Sequence, residues 1–573
     1  MGEVVWQLQL GIGVHSDKMS FEIKYKDVCG RIGEITTKTS RFETPILLPV
    51  VNPFASKGLP PQVLESEFKC EAIIANAYLL WKHSAEKATE SNVHKLLGFS
   101  KSIMTDSGAY QLLTYGDVEV APNEIVAFQE KIGSDIAVIL DVPTGGYEKK
   151  ERAIFTVEET IRRAQELTRI RKRDDILWVG PVQGGTFPDL VGQSARRMGE
   201  IGFDIYAIGS PTQVMESYKF DRLVDLVASA KFNLPIEKPI HLFGAGHPSM
   251  FSLAVALGCD MFDSASYVLY AKDDRYMTSF GTRKLHDLRE KVCTCPACQK
   301  LELSEIWSLS SEERFDIVAR HNLYMCLNEI RIIKQAIYEG RLWELVEVRV
   351  RTHPQLLEGL KKLRKYRRQL EKYSPMVKSR AIFYAGPESL TRPEVTRHLA
   401  KLKKMATPPN ADILIVLPEP DKRPFSKTKQ QRKYRKIIRG VFGKKDLKRV
   451  HICTVSKFFG LIPMELDETY PLAQHEVPKT PDLESRLLIA HTIKTYVKNH
   501  RYNAVALHVD HKVLGAKAVE GIMGLCRQLG LYAVFTPKQG LHPRKKEAME
   551  EFKQALTDIY TGYKPSSDEQ RVN

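Results

Sequence analysis

The sequence predicts an α/β protein: a (β/α)8, TIM-like barrel with an inserted zinc-binding subdomain, followed by a smaller α/β C-terminal domain. Three observations predict it. Short β-rich apolar runs alternate with helix-period stretches from about residue 20 to 285, giving eight strand candidates, the usual count for a barrel of ~250 residues. Nearly every run ends in polar or glycine-rich residues. After the last of them come Cys293-Thr294-Cys295-Pro296-Ala297-Cys298 and, 23 residues beyond Cys298, His321.

Taken in order, the strand candidates are 46–51, 72–77, 102–105, 136–140, 178–182, 205–208, 240–243 and 261–262. Asn76 ends the second and Asp106-Ser107-Gly108 the third. Asp141 follows the fourth, Gln183-Gly184-Gly185 the fifth and Gly209-Ser210 the sixth. Gly244-Ala245-Gly246 closes the seventh and Asp263 the eighth. In a closed barrel these positions converge on one face, where barrel enzymes keep their sites. A doubly wound open sheet is the competing arrangement and would spread them along an edge. One strand-end Asp is ordinarily a helix N-cap. Three of them, with a Gln and two glycine-rich turns, point to a site.

Three thiolates and one imidazole fill a tetrahedral zinc shell and leave no position for water or substrate. Cys293, Cys295, Cys298 and His321 are therefore expected to hold one structural Zn2+ per chain. Coincidence is the alternative, and it is weakened because the other six cysteines are scattered singly.

A chain of 573 residues is too long for one core. The expected division is a catalytic barrel over 1–355, with the zinc subdomain at about 285–350, a basic linker over 356–375, and a C-terminal α/β domain over 376–573. Helical sequence runs from Glu312 to about Arg351. The last domain offers strands at 413–417, 451–455, 504–509 and 533–536, a helical segment over 547–560 and a polar tail, 566–573, that reads as disordered. No apolar run reaches membrane-spanning length and no secretory leader is apparent, so a cytoplasmic protein with no membrane partner is expected. The 85 lysines and arginines exceed the 69 acidic residues by 16, which favours a polyanionic partner. From Lys422 to Arg449 the basic residues interleave Phe425, Tyr434 and Phe442, as they would if the run tracked phosphates while its rings stacked on bases. A solvated surface helix is the plainer alternative.

Two carboxylates facing each other across a sugar can act as nucleophile and acid/base at its anomeric carbon. A barrel mouth would set Asp106 and Asp263 on either side of a ribose, with Asp141 and Gln183 offering hydrogen bonds to a heterocycle. Tyr110 and Phe243 would sandwich a flat base. Singly, the rings also read as core aromatics and Gln183 as a turn residue.

The segments Thr105-Asp106-Ser107-Gly108-Ala109-Tyr110-Gln111, Gln183-Gly184-Gly185 and Asp260-Met261-Phe262-Asp263, with the cysteine cluster and distant His, resemble tRNA-guanine transglycosylases. Pro49-Val50-Val51-Asn52-Pro53, His241-Leu242-Phe243-Gly244-Ala245-Gly246-His247-Pro248 and Ser264-Ala265-Ser266-Tyr267 are similar to the archaeal, archaeosine-type branch. The likeness covers about residues 20 to 350. It implies that Asp263 attacks C1′ of the ribose and that Asp106 is the general acid/base. It implies too that Asp141, Gln183, Gly209, Ser107, Tyr110 and Phe243 bind the base. The exchange it implies replaces guanine at position 15 of the tRNA D-loop by 7-cyano-7-deazaguanine (preQ0), through a covalent enzyme–tRNA intermediate, as the first tRNA-level step of archaeosine biosynthesis. A homodimer is also implied.

The resemblance has a gap. Archaeal members commonly end in a PUA domain that grips tRNA, and no recognisable PUA pattern is found here, which suggests a separate PUA-bearing subunit or a tRNA contact by the C-terminal domain. Archaeosine synthases form a rival paralogue, but their Cys and His motif is absent from Glu419-Pro420-Asp421-Lys422-Arg423-Pro424-Phe425-Ser426-Lys427-Thr428-Lys429-Gln430-Gln431. A non-catalytic tRNA-binding subunit is the third reading. Such a subunit could shed its acids, and this chain keeps Asp106, Asp141 and Asp263.

Overall fold

The computed structural model describes residues 20–109, 120–405, 408, 410–538 and 540–562. Tyr110 and the tail 566–573 lie outside the described residues. The chain forms two compact units: Gly30–Lys334 with the segment up to Tyr25, and the chain from Gln335 onward with Lys26–Cys29.

The first unit opens with three strands, β1 (Ser20–Asp27), β2 (Gly30–Thr36) and β3 (Arg41–Thr44), that share a small sheet. Eight further strands follow: β4 (Ile46–Val51), β5 (Ala72–Asn76), β6 (Ser102–Asp106), β7 (Ile136–Val138), β8 (Leu177–Val182), β9 (Ile205–Ile208), β10 (Ile240–Leu242) and β11 (Met261–Ser264). They close into a barrel in the order β4 to β11, and β11 pairs in parallel with β4. This is the expected (β/α)8 barrel, so the open-sheet alternative is discarded.

Strand alternation builds the interior. Successive side chains point to opposite faces, so residues two apart share one face. Leu48, Ala72, Ile74, Met104, Ile136, Val138, Leu177, Val179, Ile205, Ala207 and Met261 form a single buried cluster. One more step of two along the strands reaches Asn76, Asp106, Gly209 and Asp263. The inward row thus turns from apolar to polar at the C-terminal end, where the first polar layer meets solvent.

The two aspartates of Asp260-Met261-Phe262-Asp263 are three apart and so differ in face. Asp260 is fully buried, takes two 2.8 Å bonds from Arg31 and accepts the Ile240 N–H at 2.8 Å. It holds the barrel together, whereas Asp263 faces the mouth.

Beyond the barrel, a hairpin of β12 (Arg275–Thr278) and β13 (Gly281–Lys284) precedes the cysteine cluster. The expected single helical stretch is two helices, Ser311–Glu339 and Leu342–Val350. The stretch 356–375, read from its charge as a linker, is largely helical: Pro354–Lys362, Leu363–Tyr366 and Arg367–Tyr373 bury Leu356, Leu360, Leu363 and Leu370. Apolar residues at helical spacing explain this; the basic residues between them point outward.

The second unit also contains a two-stranded pair, β14 (Ile382–Phe383) with β18 (His475–Glu476), and a five-stranded sheet. The sheet comprises β15 (Ile413–Leu417), β16 (Val450–Ser456), β17 (Gly460–Pro463), β19 (Ala504–His508) and β20 (Tyr532–Thr536), in the order β17-β16-β15-β19-β20. Only β17 runs antiparallel to its neighbour. Each face of the sheet carries its own apolar core, one around Leu414, Val505 and Ile493, the other around Ile415, Ala506 and Phe552.

Phe425, Tyr434 and Phe442 are buried, at 1%, 0% and 2% exposure. The reading of these rings as base-stacking platforms is therefore wrong. They lie in or beside the helix Lys429–Asp446, where Gln431, Tyr434, Ile438 and Phe442 form its inner stripe. Among the described residues no helix is long and apolar enough to cross a membrane.

Candidate active site and metal centre

Asp106 is the last residue of β6. Its carboxylate accepts backbone N–H groups of Ser107 and Gly108, and Asn76 Nδ2 lies 3.4 Å from Oδ2. Burial, followed by the charges of Asp141 and Asp263, pushes its carboxyl up to about 7. Desolvation and like charge both penalise the ionised form. The carboxyl is therefore shared between its acid and base forms near neutrality. Asn76 also caps the helix Ala77–Ser91, accepting the Leu79 N–H at 2.9 Å.

Asp141 lies three residues past β7 and is buried. Burial raises its carboxyl to about 6, against the hydrogen bond from Gln183. Gln183 follows β8, donates its Nε2 to Asp141 Oδ2, and accepts the Thr144 N–H at 2.9 Å and the Ser210 hydroxyl at 3.3 Å. Gly209 closes over this amide: a Cβ there would sit 2.2 Å from Gln183 Nε2. Only a glycine lets the backbone approach so closely.

Asp263 sits within β11. Its Oδ1 accepts two hydrogen bonds, from the Gly244 N–H at 3.0 Å and from His241 Nε2 at 2.9 Å. Gly244 adopts φ +67°, a conformation that favours glycine. His241 is fully buried on β10. Because Nε2 faces a carboxylate, the proton belongs on Nε2. Both donors share one oxygen, and among the described residues Oδ2 takes no such bond.

The inferred base-binding residues fare differently. Phe243 is half-buried, its ring 4.8 Å from that of His241. Ser107 is fully buried, and among the described residues its Oγ has no hydrogen-bond partner. Tyr110 is not described. His241 belongs to the segment 241–248 that carries the resemblance, which implies no role for it. Its inward parity on a barrel strand, two residues before Phe243, was the available signal.

The other cluster lies in the same unit. Ligand atoms of Cys293, Cys295, Cys298 and His321 all fall within 4.8 Å of one another. His321 Nδ1 is 3.6 Å from the Cys295 sulfur and 3.3 Å from that of Cys298. Tetrahedral coordination at the usual Zn–S and Zn–N lengths implies about 3.6 Å between such donors. His321 Nε2 lies 2.7 Å from the Met277 carbonyl, so Nε2 carries the proton and Nδ1 presents its lone pair to the sulfurs. Tyr276 stacks on the imidazole at 3.5 Å. The four residues can hold a metal ion.

Asn322, next on the helix, binds this centre into the barrel. It accepts the Met277 N–H at 2.8 Å and donates to the carbonyls of Arg275 at 3.0 Å and Tyr267 at 3.3 Å. Tyr267 lies in the short helix directly after β11 and donates its hydroxyl to the Val50 carbonyl at 3.1 Å. The same helix that supplies His321 thus steadies the chain leaving Asp263.

Residues 27–355 match the family model described as queuine tRNA-ribosyltransferase, and residues 395–556 match a domain of unknown function, DUF5591. A tRNA-guanine(15) transglycosylase of Methanocaldococcus jannaschii is 42% identical over 476 residues, 82% of this chain and 70% of the relative. Those of Pyrobaculum aerophilum and Sulfolobus acidocaldarius are 42% and 38% identical, covering 80% and 87% of this chain and 90% and 97% of theirs. The chain belongs to the queuine tRNA-ribosyltransferase family.

Proposed function

We propose that this chain is a tRNA-guanine(15) transglycosylase that exchanges guanine 15 of the D-loop for preQ0 through a covalent enzyme–tRNA intermediate. The observation that carries the reading is the contrast between two carboxylates at one barrel mouth. One is steadied on a single oxygen by two donors, and the other titrates near neutrality.

In the first half-reaction, Asp263 Oδ2 bonds to C1′ of the ribose while the C1′–N9 bond breaks. Guanine leaves with a proton from Asp106. In the second, preQ0 returns its N9 proton to Asp106 and N9 attacks C1′, releasing Asp263. The carboxyl of Asp106 is raised to about 7, so it can give a proton in one half and take one in the other. Asp141 and Gln183, already bonded to each other, offer acceptor and donor atoms to the polar edge of the base. Gly209 and Ser107 add backbone and hydroxyl contacts, and Phe243 and Tyr110 its stacking faces. The target base must leave its stack to reach them.

The cysteine–histidine set is read as a structural zinc site, one per chain, which would stiffen the segment behind β11 and take no part in the chemistry. The organisation proposed is a catalytic part over 1–355 and a C-terminal domain over 376–573. The protein is expected to be cytoplasmic and homodimeric, with a separate PUA-bearing subunit as a candidate tRNA partner.

The test is incorporation of labelled guanine into unmodified archaeal-type tRNA. Wild type should label position 15, unlabelled preQ0 should compete, and Asp263→Ala and Asp106→Ala should each lose at least about 10²-fold. No incorporation by wild type, with or without a PUA protein, would overturn the reading in favour of a synthase or a tRNA-binding subunit.

A further inference from the structure

Within the C-terminal unit, the helix Lys429–Asp446 has a sidedness that packing does not require. Its inner stripe is Gln431, Tyr434, Ile438 and Phe442. Its outer face carries Lys429, Arg432, Lys433, Lys436 and Arg439, followed past the kink at Gly443 by Lys444 and Lys445, all exposed. None of these seven forms an ion pair among the described residues. The helix contains one acid, Asp446, and that is bonded to the Tyr560 hydroxyl at 3.0 Å. The adjacent helix Lys546–Gly562 exposes Glu547, Glu550 and Asp558, and none of them pairs with the basic face.

An ordinary solvated helix in the same chain looks different. On Lys150–Ile170, Arg162 meets Glu159 at 2.8 Å and Glu166 at 3.1 Å, and Arg163 meets Glu159 at 2.8 Å. Opposite charges at i,i+3 and i,i+4 stabilise a helix, and like charges there oppose it. The C-terminal helix instead stacks like charge at 429/432/433, 432/436 and 436/439. A second observation is independent of charge. Gly440 is exposed in the middle of this face, and a Cβ there would meet nothing within 4 Å. Glycine disfavours a helix interior, and no neighbour demands it. It opens a gap in the side-chain layer one turn beyond Lys436, where a ligand backbone can approach the helix closely.

We propose that this face is a docking surface for the phosphate backbone of the tRNA substrate, with Arg432, Lys436 and Arg439 as its phosphate contacts and Gly440 as the point of closest approach. The proposal rests on the tRNA reading above and extends it to a surface outside the barrel. It recognises phosphate spacing and charge, not base identity.

The experiment measures tRNA affinity of the full chain against salt. The variant is Arg432→Gln/Lys436→Gln/Arg439→Gln. A control removes the same charge elsewhere in the unit, at exposed Lys498, Lys517 and Lys553. The variant should weaken tRNA binding at least ~10-fold near physiological salt and lower the slope of log K against log salt by about 2–3. The control should do neither. Gly440→Leu should leave thermal stability intact or raised and still weaken binding, because the added side chain fills the gap. An unchanged slope in the triple variant, an equal loss in the control, or Gly440→Leu binding like wild type would overturn the proposal. A wild type that binds tRNA steeply with salt yet exchanges no guanine would sink the exchange reading and leave this surface standing. A wild type that exchanges guanine while the triple variant binds normally would sink the surface alone.

Discussion

Both units of this chain present carboxylates at the C-terminal ends of parallel strands, and they treat them in opposite ways. At the barrel mouth, burial lifts Asp106 to about 7 and Asp141 to about 6; among the described residues no Lys or Arg forms an ion pair with either carboxylate, and the charge of Arg163 offsets the burial of Asp141 only in part. Past β15 of the C-terminal sheet, burial alone would raise Glu419, yet the facing His475, Lys457 and Arg423 outweigh it and hold it below the usual range. Arg423 donates to Glu419 at 3.0 Å. Arg544 likewise holds Asp421 low. On the proposed reading, the same strand-end geometry serves chemistry in one sheet and cohesion in the other. The difference is whether each carboxylate has been given a cation within ion-pair distance.

Breaking the compensated side should therefore cost stability and not chemistry. Arg423→Met leaves Glu419 buried beside a weaker set of partners, and removing one member of a buried pair is strongly destabilising. We expect a loss of about 3 kcal/mol, read as faster hydrogen exchange in β15, β16 and β19, with guanine-exchange kcat at saturating tRNA unchanged. A stable variant with lost exchange activity would show that the C-terminal cluster, too, is a reacting site.

The uncompensated side can be probed through His241, which on the proposed reading is a positioning residue acting through Asp263. His241→Phe keeps most of the volume and removes the Nε2 donor. Exchange kcat should fall about 10–100-fold, the size expected when one donor to a reacting carboxylate is lost. KM for the base should hold. His241→Gln, which restores an N–H donor, should recover part of the rate. A rise in KM without a change in kcat would mean that His241 shapes the base pocket.

Much of this contrast was legible in the sequence, and what was not has physical reasons. The eight barrel strands stood out because each is a short apolar run ended by a polar or glycine residue. β1, β2, β3 and β17 did not: Gly30-Arg31-Ile32-Gly33-Glu34-Ile35-Thr36 is diluted by glycines, and Gly460–Pro463 is four residues long. The Cys3His set was visible because metal spacing is local. The compensation of Glu419 and Asp421 was invisible because Lys457, His475 and Arg544 come from segments far along the chain. The buried rings were misread for a different cause. Abundant Lys and Arg drew the eye to charge, while the inner stripe Gln431, Tyr434, Ile438, Phe442 at intervals of three and four marked a helix packed on a core.

The smallest expected effect separates the two units most cleanly, because its sign depends on pH. Asp106 has a folded-state value near 7, above the ordinary carboxylate value it regains on unfolding. The folded protein therefore binds more protons than the unfolded chain between about pH 4 and 7, and its stability falls as pH rises through that window. Asp106→Asn removes the titration and keeps the shape. At pH 8 the variant should be more stable than wild type by about 2 kcal/mol, allowing for the part of the carboxylate that solvent reaches. At pH 5 most of that gain should be absent, because wild-type Asp106 is then protonated in the fold. Glu419→Gln should behave with the opposite sign, since its folded value is depressed: stability is lost at neutral pH and the deficit shrinks as pH falls through the folded value. Thermal unfolding of the two variants at both pH values reads the comparison directly. If Asp106→Asn were neutral or destabilising at pH 8, the mouth would hold a compensating charge, and the distinction between the two sheet ends would fail.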